Sequence, residues 1–365
     1  MKRLLVALAG LVALAVSTTG CNAHLLPYAA VVNGSTVSET TFTGSMSAVA
    51  SNQDYRCLIG AGPGGSVHVE GAGESTYATS FGANELSFLV QQQVVHQLVQ
   101  RLRLTVPANV APIAAAQLNQ AFTPPSGSGC TGTGAQILAE FPSSYRQSLV
   151  QFQSDEDVIS AHLAGMDMTP AGIARYAAAN PSVGQMACIS AIVVNTQAEA
   201  AALRGRALAG ASFASLAKAH SIDTQSAANG GVIGCAQPSR FGAPLGTVIT
   251  ATPVGHISKP LKVHSVWVII EVTGHQPVTT LQVVDGMAAT VQPGFSAVVT
   301  AAMNRSHVQV DPQYGSWATI RNIRQVVAPV PPPPNLVPDP AAMIGPLEPS
   351  AAPSGSSSSG LTPVG

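Results

Sequence analysis

The chain is 365 residues long, enough for two domains that each bury a core. Only 9% of its residues are charged and the formal net charge is −1. Lys and Arg nowhere form a stripe, so a phosphate-backbone partner has no electrostatic basis and nucleic acid is excluded.

Lys2 and Arg3 precede an apolar run from Leu4 to Val16, in the order of a secretory signal and too short to span a bilayer comfortably. Export is expected, with residues 1–20 as the signal peptide. The segment Ser17-Thr-Thr-Gly-Cys21 resembles a bacterial lipoprotein signal, in which a small residue stands before a cysteine that is cleaved and acylated. Gly20 and Cys21 fit, whereas Thr18 stands where Leu is usual. The resemblance implies lipid attachment at Cys21 and an extracytoplasmic membrane location; ordinary secretion with cleavage nearby is the alternative. Cys57, Cys130, Cys188 and Cys235 then remain, an even number for an oxidising compartment. Three pairings are open, and Cys57 with Cys130 and Cys188 with Cys235 is favoured because each pair falls within one domain. No Cys-x-x-Cys or His-x-x-x-His spacing suggests a metal, and none is expected.

Along the chain, two short strands flank Asn33-Gly34, a dipeptide that accepts the positive φ angles of a tight hairpin. Ser38 is placed to cap a helix carrying Phe42, Met46 and Val49. Residues 60–75 read as a loop; its Gly60-Ala-Gly-Pro-Gly-Gly neither follows a strand nor opens an apolar helix, so it is not read as a phosphate cradle, and no cofactor is expected. The spacing of Leu86, Leu89, Val90, Val94, Leu98 and Leu102 predicts a helix over 84–104, with His96 at its surface. Further helices are predicted over 110–122 and 143–163, with Asp155-Glu-Asp157 as a solvated face of the latter. Thr169-Pro170 caps a short helix ending near Asn180.

Composition then shifts. A buried strand over 186–194 is followed by an Ala-rich helix over 196–209, with Ala200, Leu203, Ala207 and Leu208 inward, and by a second helix ending near His220. Val232-Ile233 is a short strand, and Val266-Trp-Val-Ile-Ile-Glu-Val is apolar on both faces and therefore central. A helix over 281–303 and a strand at Val308 follow. From Val327 onward, Pro-rich and then Ser- and Gly-rich sequence reads as a disordered tail.

The stretch from Gly210 to Gly234 resembles the parvulin family of peptidyl-prolyl isomerases. Bacterial members pair Gly-x-x-Phe-x-x-Leu-Ala with Ser-x-Asp-x-x-Ser-Ala-x-x-Gly-Gly-Asp-Leu-Gly. The chain supplies Gly210, Phe213, Leu216 and Ala217, then Ser221, Asp223, Ser226, Ala227, Gly230, Gly231, Ile233 and Gly234 without a gap. Pro253-Val-Gly-His-Ile-Ser-Lys-Pro-Leu261 is similar to a further family segment, and the likeness spans about 185–274. The flanks resemble secreted foldases of the SurA and PrsA type, where a parvulin domain is set within a helical chaperone domain completed by residues after the isomerase. The implied architecture is α+β: a helical chaperone part over 21–183, a small antiparallel-sheet parvulin domain over 184–276, a return segment over 277–326 and a tail over 327–365. The first and last framework strands should pack together.

Family function implies partners among unfolded or proline-containing secreted polypeptides. Of the residues usually tied to isomerisation, the acidic position falls on Asp223, and the apolar proline cup falls on Ile233, Phe241 and Leu245. The two floor histidines fall on Ala191 and Val268, and the acid after Gly-Gly on Val232. The resemblance therefore implies a proline-accepting groove with weak or lost turnover in a chaperone or foldase. The alternatives are an active isomerase using Asp223 and the cup, and a non-catalytic envelope lipoprotein. His220, Ser221 and Asp223 hold the residue types of a hydrolytic triad, but as neighbours in one turn they cannot reach relay geometry. Asp223 can equally stabilise that turn, and His256, His264 and His275 read as surface-loop residues.

Overall fold

The computed structural model describes residues 28–60, 68–73 and 76–329. The signal, Cys21 and the tail beyond residue 329 lie outside the described residues, as does most of the glycine-rich stretch after Gly60. Among the described residues no helix is long and apolar enough to cross a membrane.

The chain opens with strands β1 (Tyr28–Val32) and β2 (Ser35–Ser38), paired about Asn33 and Gly34, whose φ angles of 50° and 87° make the tight turn that the dipeptide predicts. Ser38 then caps α1 (Glu39–Ser51) by accepting from the Thr41 amide at 3.0 Å. There follow α2 (Gln53–Gly60), α3 (Thr79–Arg101), α4 (Val110–Ala121), α5 (Gly134–Glu140), α6 (Ser143–Ala164), α7 (Pro170–Ala179) and α8 (Pro181–Gly184). Of these, α2, α5 and α8 are additions to the sequence reading. Each is short, and α2 buries no residue that would set a periodicity. The disulfide Cys57–Cys130 ties α2 to the loop before α5.

A sheet-based module comes next: β3 (Met186–Val194), α9 (Gln197–Leu208), α10 (Phe213–His220), α11 (Thr224–Ala227), β4 (Val232–Ala236), a 3-10 turn at Pro238–Phe241, α12 (Leu245–Ala251), β5 (Leu261–Val263) and β6 (Val266–Gln276). Its strand order is β4-β3-β6-β5, antiparallel throughout, so the two apolar strands β3 and β6 are central.

The chain then returns to the helical part through α13 (Thr280–Arg305), opened by a capping box between Thr279 and Gln282. Strand β7 (Val308–Val310) pairs with β1 in the register Ala30 with Val310 and Val32 with Val308, so the first and last parts of the framework share one sheet. A hairpin of β8 (Ser316–Ile320) and β9 (Ile323–Val327) closes the described chain. Its turn residues Arg321 and Asn322 both have positive φ without a glycine to signal them, and Val327 ends the hairpin rather than opening the tail.

Two burial expectations fail for physical reasons. Asp155 and Asp157 are 1% and 2% exposed, because α6 packs against α3, α4 and α13 and its exposed stripe runs through Ser144, Gln147 and Gln151 instead. His96 is correspondingly not an idle surface group, since its Nδ1 lies 2.9 Å from Asp155 Oδ2. Leu208, read as inward, is 59% exposed at the last turn of α9, where the helix has run past the sheet it covers.

Candidate functional site

Alternation along β3 and β6 sorts the module into two apolar layers. Ile192, Val194 and Ile269 face one side and pack with Ala200, Leu203, Phe213, Leu216 and Ala217 of α9 and α10. On the other side lie Ala187, Ile189 and Ala191 of β3 with Val268, Ile270 and Val272 of β6. Phe241 and Leu245, from the 3-10 turn and the start of α12, cover this second layer. Four sequence-singled positions thus meet: Ala191, Val268, Phe241 and Leu245. Ile233 does not join them in the buried cluster; it is 44% exposed on the edge strand β4, beside Val232 at 56%.

The best-conforming motif residues build the turn that leads into β4. The Ser221 hydroxyl accepts from the Val193 amide at 3.1 Å, and the Ile222 amide donates to the Val193 carbonyl at 2.8 Å, which extends the open edge of β3. Ser226 is 5% exposed and donates its hydroxyl to Asp223 Oδ2 at 2.5 Å, while its carbonyl accepts from the Gly231 amide at 2.8 Å. Gly231 in turn accepts from the Ala191 amide at 2.8 Å, at φ +82°, and a Cβ there would lie 2.5 Å from the Ala191 carbonyl oxygen. The second glycine of the pair is therefore required both by its backbone angle and by the approach of β3.

Asp223 is half-buried, one residue past the β3 edge, and its hydroxyl partner Ser226 belongs to the same turn. His220, Ser221 and Asp223 point to separate partners, Arg206, Val193 and Ser226, so no relay forms. His256, His264 and His275 are exposed, with His275 on strand β6 rather than in a loop. Residues 255–258 run along β6, with the Ser258 amide donating to the Ile270 carbonyl at 2.8 Å and the Ser258 hydroxyl accepting from the Ile270 amide at 3.0 Å.

The disulfide Cys188–Cys235 joins directly opposed residues of β3 and β4, which clamps the edge strand beside the layer just described. Both favoured cysteine pairings are present.

Residues 191–274 match the family model described as Rotamase, PPIC-type PPIASE domain. This part of the chain is a PPIC-type parvulin domain. The chain is 38% identical over 90 residues to Chaperone SurA of Pseudomonas fluorescens, a match that takes in 24% of this chain and 21% of that protein. It thus spans about a fifth of the length of this curated relative. Among solved structures, the peptidylprolyl isomerase PrsA from Bacillus anthracis aligns at 16% identity over 60% of this chain and 96% of its own, with a TM-score of 0.31. NmPin, the parvulin of Nitrosopumilus maritimus, aligns at 32% identity over 25% of this chain and 97% of its own, with a TM-score of 0.23.

The parvulin domain is joined to the helical part by a residue that sequence reasoning passed over. Gln237, 2% exposed, donates from Nε2 to the Val183 carbonyl of α8 and, at 2.9 Å, to the Gln282 carbonyl of α13. Gly286 of α13 makes room for it, since a Cβ there would lie 2.8 Å from that nitrogen. Its one sequence signal is a glycine within a helix that otherwise follows an apolar stripe.

Proposed function

We propose that the chain is an extracytoplasmic folding factor that binds unfolded secreted polypeptides, in which the parvulin domain retains a proline-accepting surface with weak or lost isomerase turnover. One observation carries the reading: the layer beneath Phe241 and Leu245 is apolar at Ala191 and Val268, where the parvulin pattern has its two histidines. The barrier to X-Pro rotation arises from amide resonance, about 18–20 kcal/mol. An apolar cup lowers it by desolvating the prolyl nitrogen, but a floor without hydrogen-bonding side chains adds nothing to orient or polarise the twisted amide. Replacing both members of a buried polar pair by apolar groups keeps the packing intact at little cost, so fold and activity can part. Phe241 and Leu245 are assigned to the proline ring, Ile233 to its exposed rim, and Asp223 to the neighbourhood of the substrate carbonyl.

The proposed division of labour is a signal over 1–20, a helical client-binding part over 21–183 completed by the return segment through the β8–β9 hairpin, which ends at Val327, a parvulin domain over 184–276, and a tail after the hairpin. Acylation of Cys21 would hold the protein on the outer side of a membrane. Mass spectrometry of the mature N-terminus should find a lipid on Cys21; an unmodified cysteine, or cleavage elsewhere, overturns the anchor.

The deciding experiment is cis-to-trans conversion of an Ala-Pro peptide by the purified, oxidised protein. The expected result is little acceleration over solvent. Rates typical of parvulins would instead establish a working isomerase relying on Asp223 and the cup. Suppression of aggregation for several unrelated unfolded clients, as against capture of one envelope protein, separates the folding factor from a dedicated interaction lipoprotein.

A further inference from the structure

The turn of the opening hairpin and the ends of α3 and α13 enclose a pocket of about 450 Å³, with no residue of the parvulin domain in its lining. Its floor is a hydrogen-bonded network. Asn33 donates from Nδ2 to Gln97 Oε1 at 2.7 Å and to Ser306 Oγ at 3.2 Å, and its Oδ1 accepts from the His307 amide at 2.7 Å. Gln97 Nε2 donates to the Val32 carbonyl at 3.0 Å and to Ser35 Oγ at 3.2 Å. These bonds join β1, β2, α3 and the segment after α13, so the floor is fixed before a ligand arrives.

The charge of the pocket is one-sided. Arg101 and Arg305, in the last turns of α3 and α13, are both exposed, and no Asp or Glu stands in the lining. The sequence has no Asp or Glu between Glu85 and Glu140, or between Asp285 and Asp311, the stretches that carry these two arginines. Asp155 is linked to the lining only through His96 and Gln100, and is itself buried. An arginine in the last turn can bond the terminal carbonyls of its own helix, yet neither guanidinium makes a hydrogen bond or an ion pair among the described residues. Ser35 Oγ accepts from Gln97, while its own hydrogen has no acceptor among the described residues. Two unengaged cations and a hydroxyl donor thus line one open pocket.

We propose that this pocket binds a phosphate monoester, held between the guanidiniums of Arg101 and Arg305 with the Ser35 hydroxyl donating to a further oxygen. A guanidinium is a planar fork of N–H donors that stays charged throughout the working pH range. Two forks on separate helices match a group with several terminal oxygens and a charge of about −1.5 to −2 at neutral pH. A carboxylate, with fewer oxygens and a single charge, engages one fork and leaves the other. Without a ligand the two cations repel each other, and a dianion between them turns repulsion into attraction. The volume lies within the range of small-molecule sites, about 300–1,000 Å³, so the organic part of a small ester fits beside its phosphate. A soluble ester and the headgroup of phosphatidic acid carry this same group. The site does not depend on the folding-factor reading, and the failure of either leaves the other standing.

The test titrates the full-length, oxidised protein with glycerol 3-phosphate by calorimetry, with acetate as the carboxylate and glycerol as the uncharged comparison. Glycerol 3-phosphate should bind, acetate should bind at least about tenfold more weakly, and glycerol should not bind. Arg101→Gln and Arg305→Gln should each weaken glycerol 3-phosphate about tenfold or more. Both side chains are exposed, so circular dichroism should be unchanged. Arg103→Gln removes an exposed charge close to Arg101 in the chain but outside the lining, and should leave binding as it was. No binding, equal affinity for acetate, or equal sensitivity to Arg103→Gln and Arg101→Gln overturns the site. Sedimentation with vesicles of equimolar phosphatidylcholine and phosphatidic acid then separates the sources. With glycerol 3-phosphate bound as expected, vesicle capture lost in the Arg101→Gln, Arg305→Gln double variant supports the site with a lipid headgroup as its ligand, and capture equal in wild type and double variant supports it with a soluble ester.

Discussion

The substitution Asp157→Asn should raise the stability of the protein above neutral pH and leave it nearly unchanged in acid. Asp157 lies where α6 packs against α4 and α13; it accepts from Gln153 Nε2 at 3.2 Å through Oδ1, while Oδ2 is buried without a partner among the described residues. Burial pushes its carboxyl from the ordinary 3.8 up to about 7; Asp285 of α13 adds to the effect, and Gln153 and Gln117 oppose it. The folded protein therefore keeps this proton to about pH 7, whereas the unfolded chain releases it near pH 4. Between those values the folded state binds more protons, so stability falls as pH rises, and above about pH 7 the loss is complete. At about 1.4 kcal/mol for each factor of ten in proton affinity, the ceiling is about 4 kcal/mol. An amide at this position would have no proton to lose and could donate toward Asp285, so the variant should exceed the wild type by about 2–4 kcal/mol at pH 8 and match it near pH 4. Its slope should be reduced rather than abolished, because the neighbouring Glu156 is also pushed up to about 7, first by burial and then by Asp157 and Asp155. Urea unfolding followed by circular dichroism at pH 4.5, 6 and 8 measures both curves. Parallel curves, or a variant less stable at pH 8, would refute the reasoning.

Other substitutions probe the parvulin domain and its joint. Gly231→Ala forces a side chain into a φ of +82° and to within 2.5 Å of the Ala191 carbonyl, and should cost about 2–4 kcal/mol in urea unfolding; a loss under about 0.5 kcal/mol would show that the β3–β4 approach is loose. Opening Cys188–Cys235 by double Ala substitution releases a crosslink between residues 47 apart. Loop-closure entropy sets an upper limit of about 4 kcal/mol on the lost stability. Thermal unfolding of this variant should shift, whereas an unchanged midpoint would show that β4 needs no clamp. Gln237→Leu removes both donors to α8 and α13, costing about 1–3 kcal/mol. Limited proteolysis should then speed up at 184–186 and 277–279; cleavage at the wild-type rate would place the joint elsewhere.

The parvulin domain was legible because its specificity is local. Gly231, Ser226 and Ser221 serve one turn and one strand edge, so their spacing survives in the sequence as a motif. The hairpin at Asn33 and the caps at Ser38 and Thr169 are equally local and were placed with their residues. The disulfides followed from domain membership, a coarser property that four cysteines suffice to use. What escaped depends on residues far apart in the chain. Asp155 and Asp157 look like a polar face until α4 and α13 arrive from either side; His96 meets Asp155 across 59 positions; and Gln237 serves backbone carbonyls that carry no residue code. Ile233 shows the converse. The motif sets it beside Phe241 and Leu245, yet a strand edge leaves it exposed while those two close over the layer.

The pairing of β1 with β7 also sets a timetable. Val32 waits for Val308, and Asn33, whose side chain accepts from the His307 amide at 2.7 Å, waits with it. A chain emerging N-terminus first must therefore deliver some 270 intervening residues before the outer edge of its opening hairpin is covered. Contacts of such separation close slowly, and an uncovered edge is a template for pairing with other chains. The Cys57–Cys130 crosslink spans residues 73 apart, all available long before β7, so oxidation can gather the early helices while the hairpin still lacks its third strand. On this schedule a protein proposed to guard unfolded chains passes through its own stage of exposure, and a truncation before residue 308 should convert it from a protector into an aggregating client.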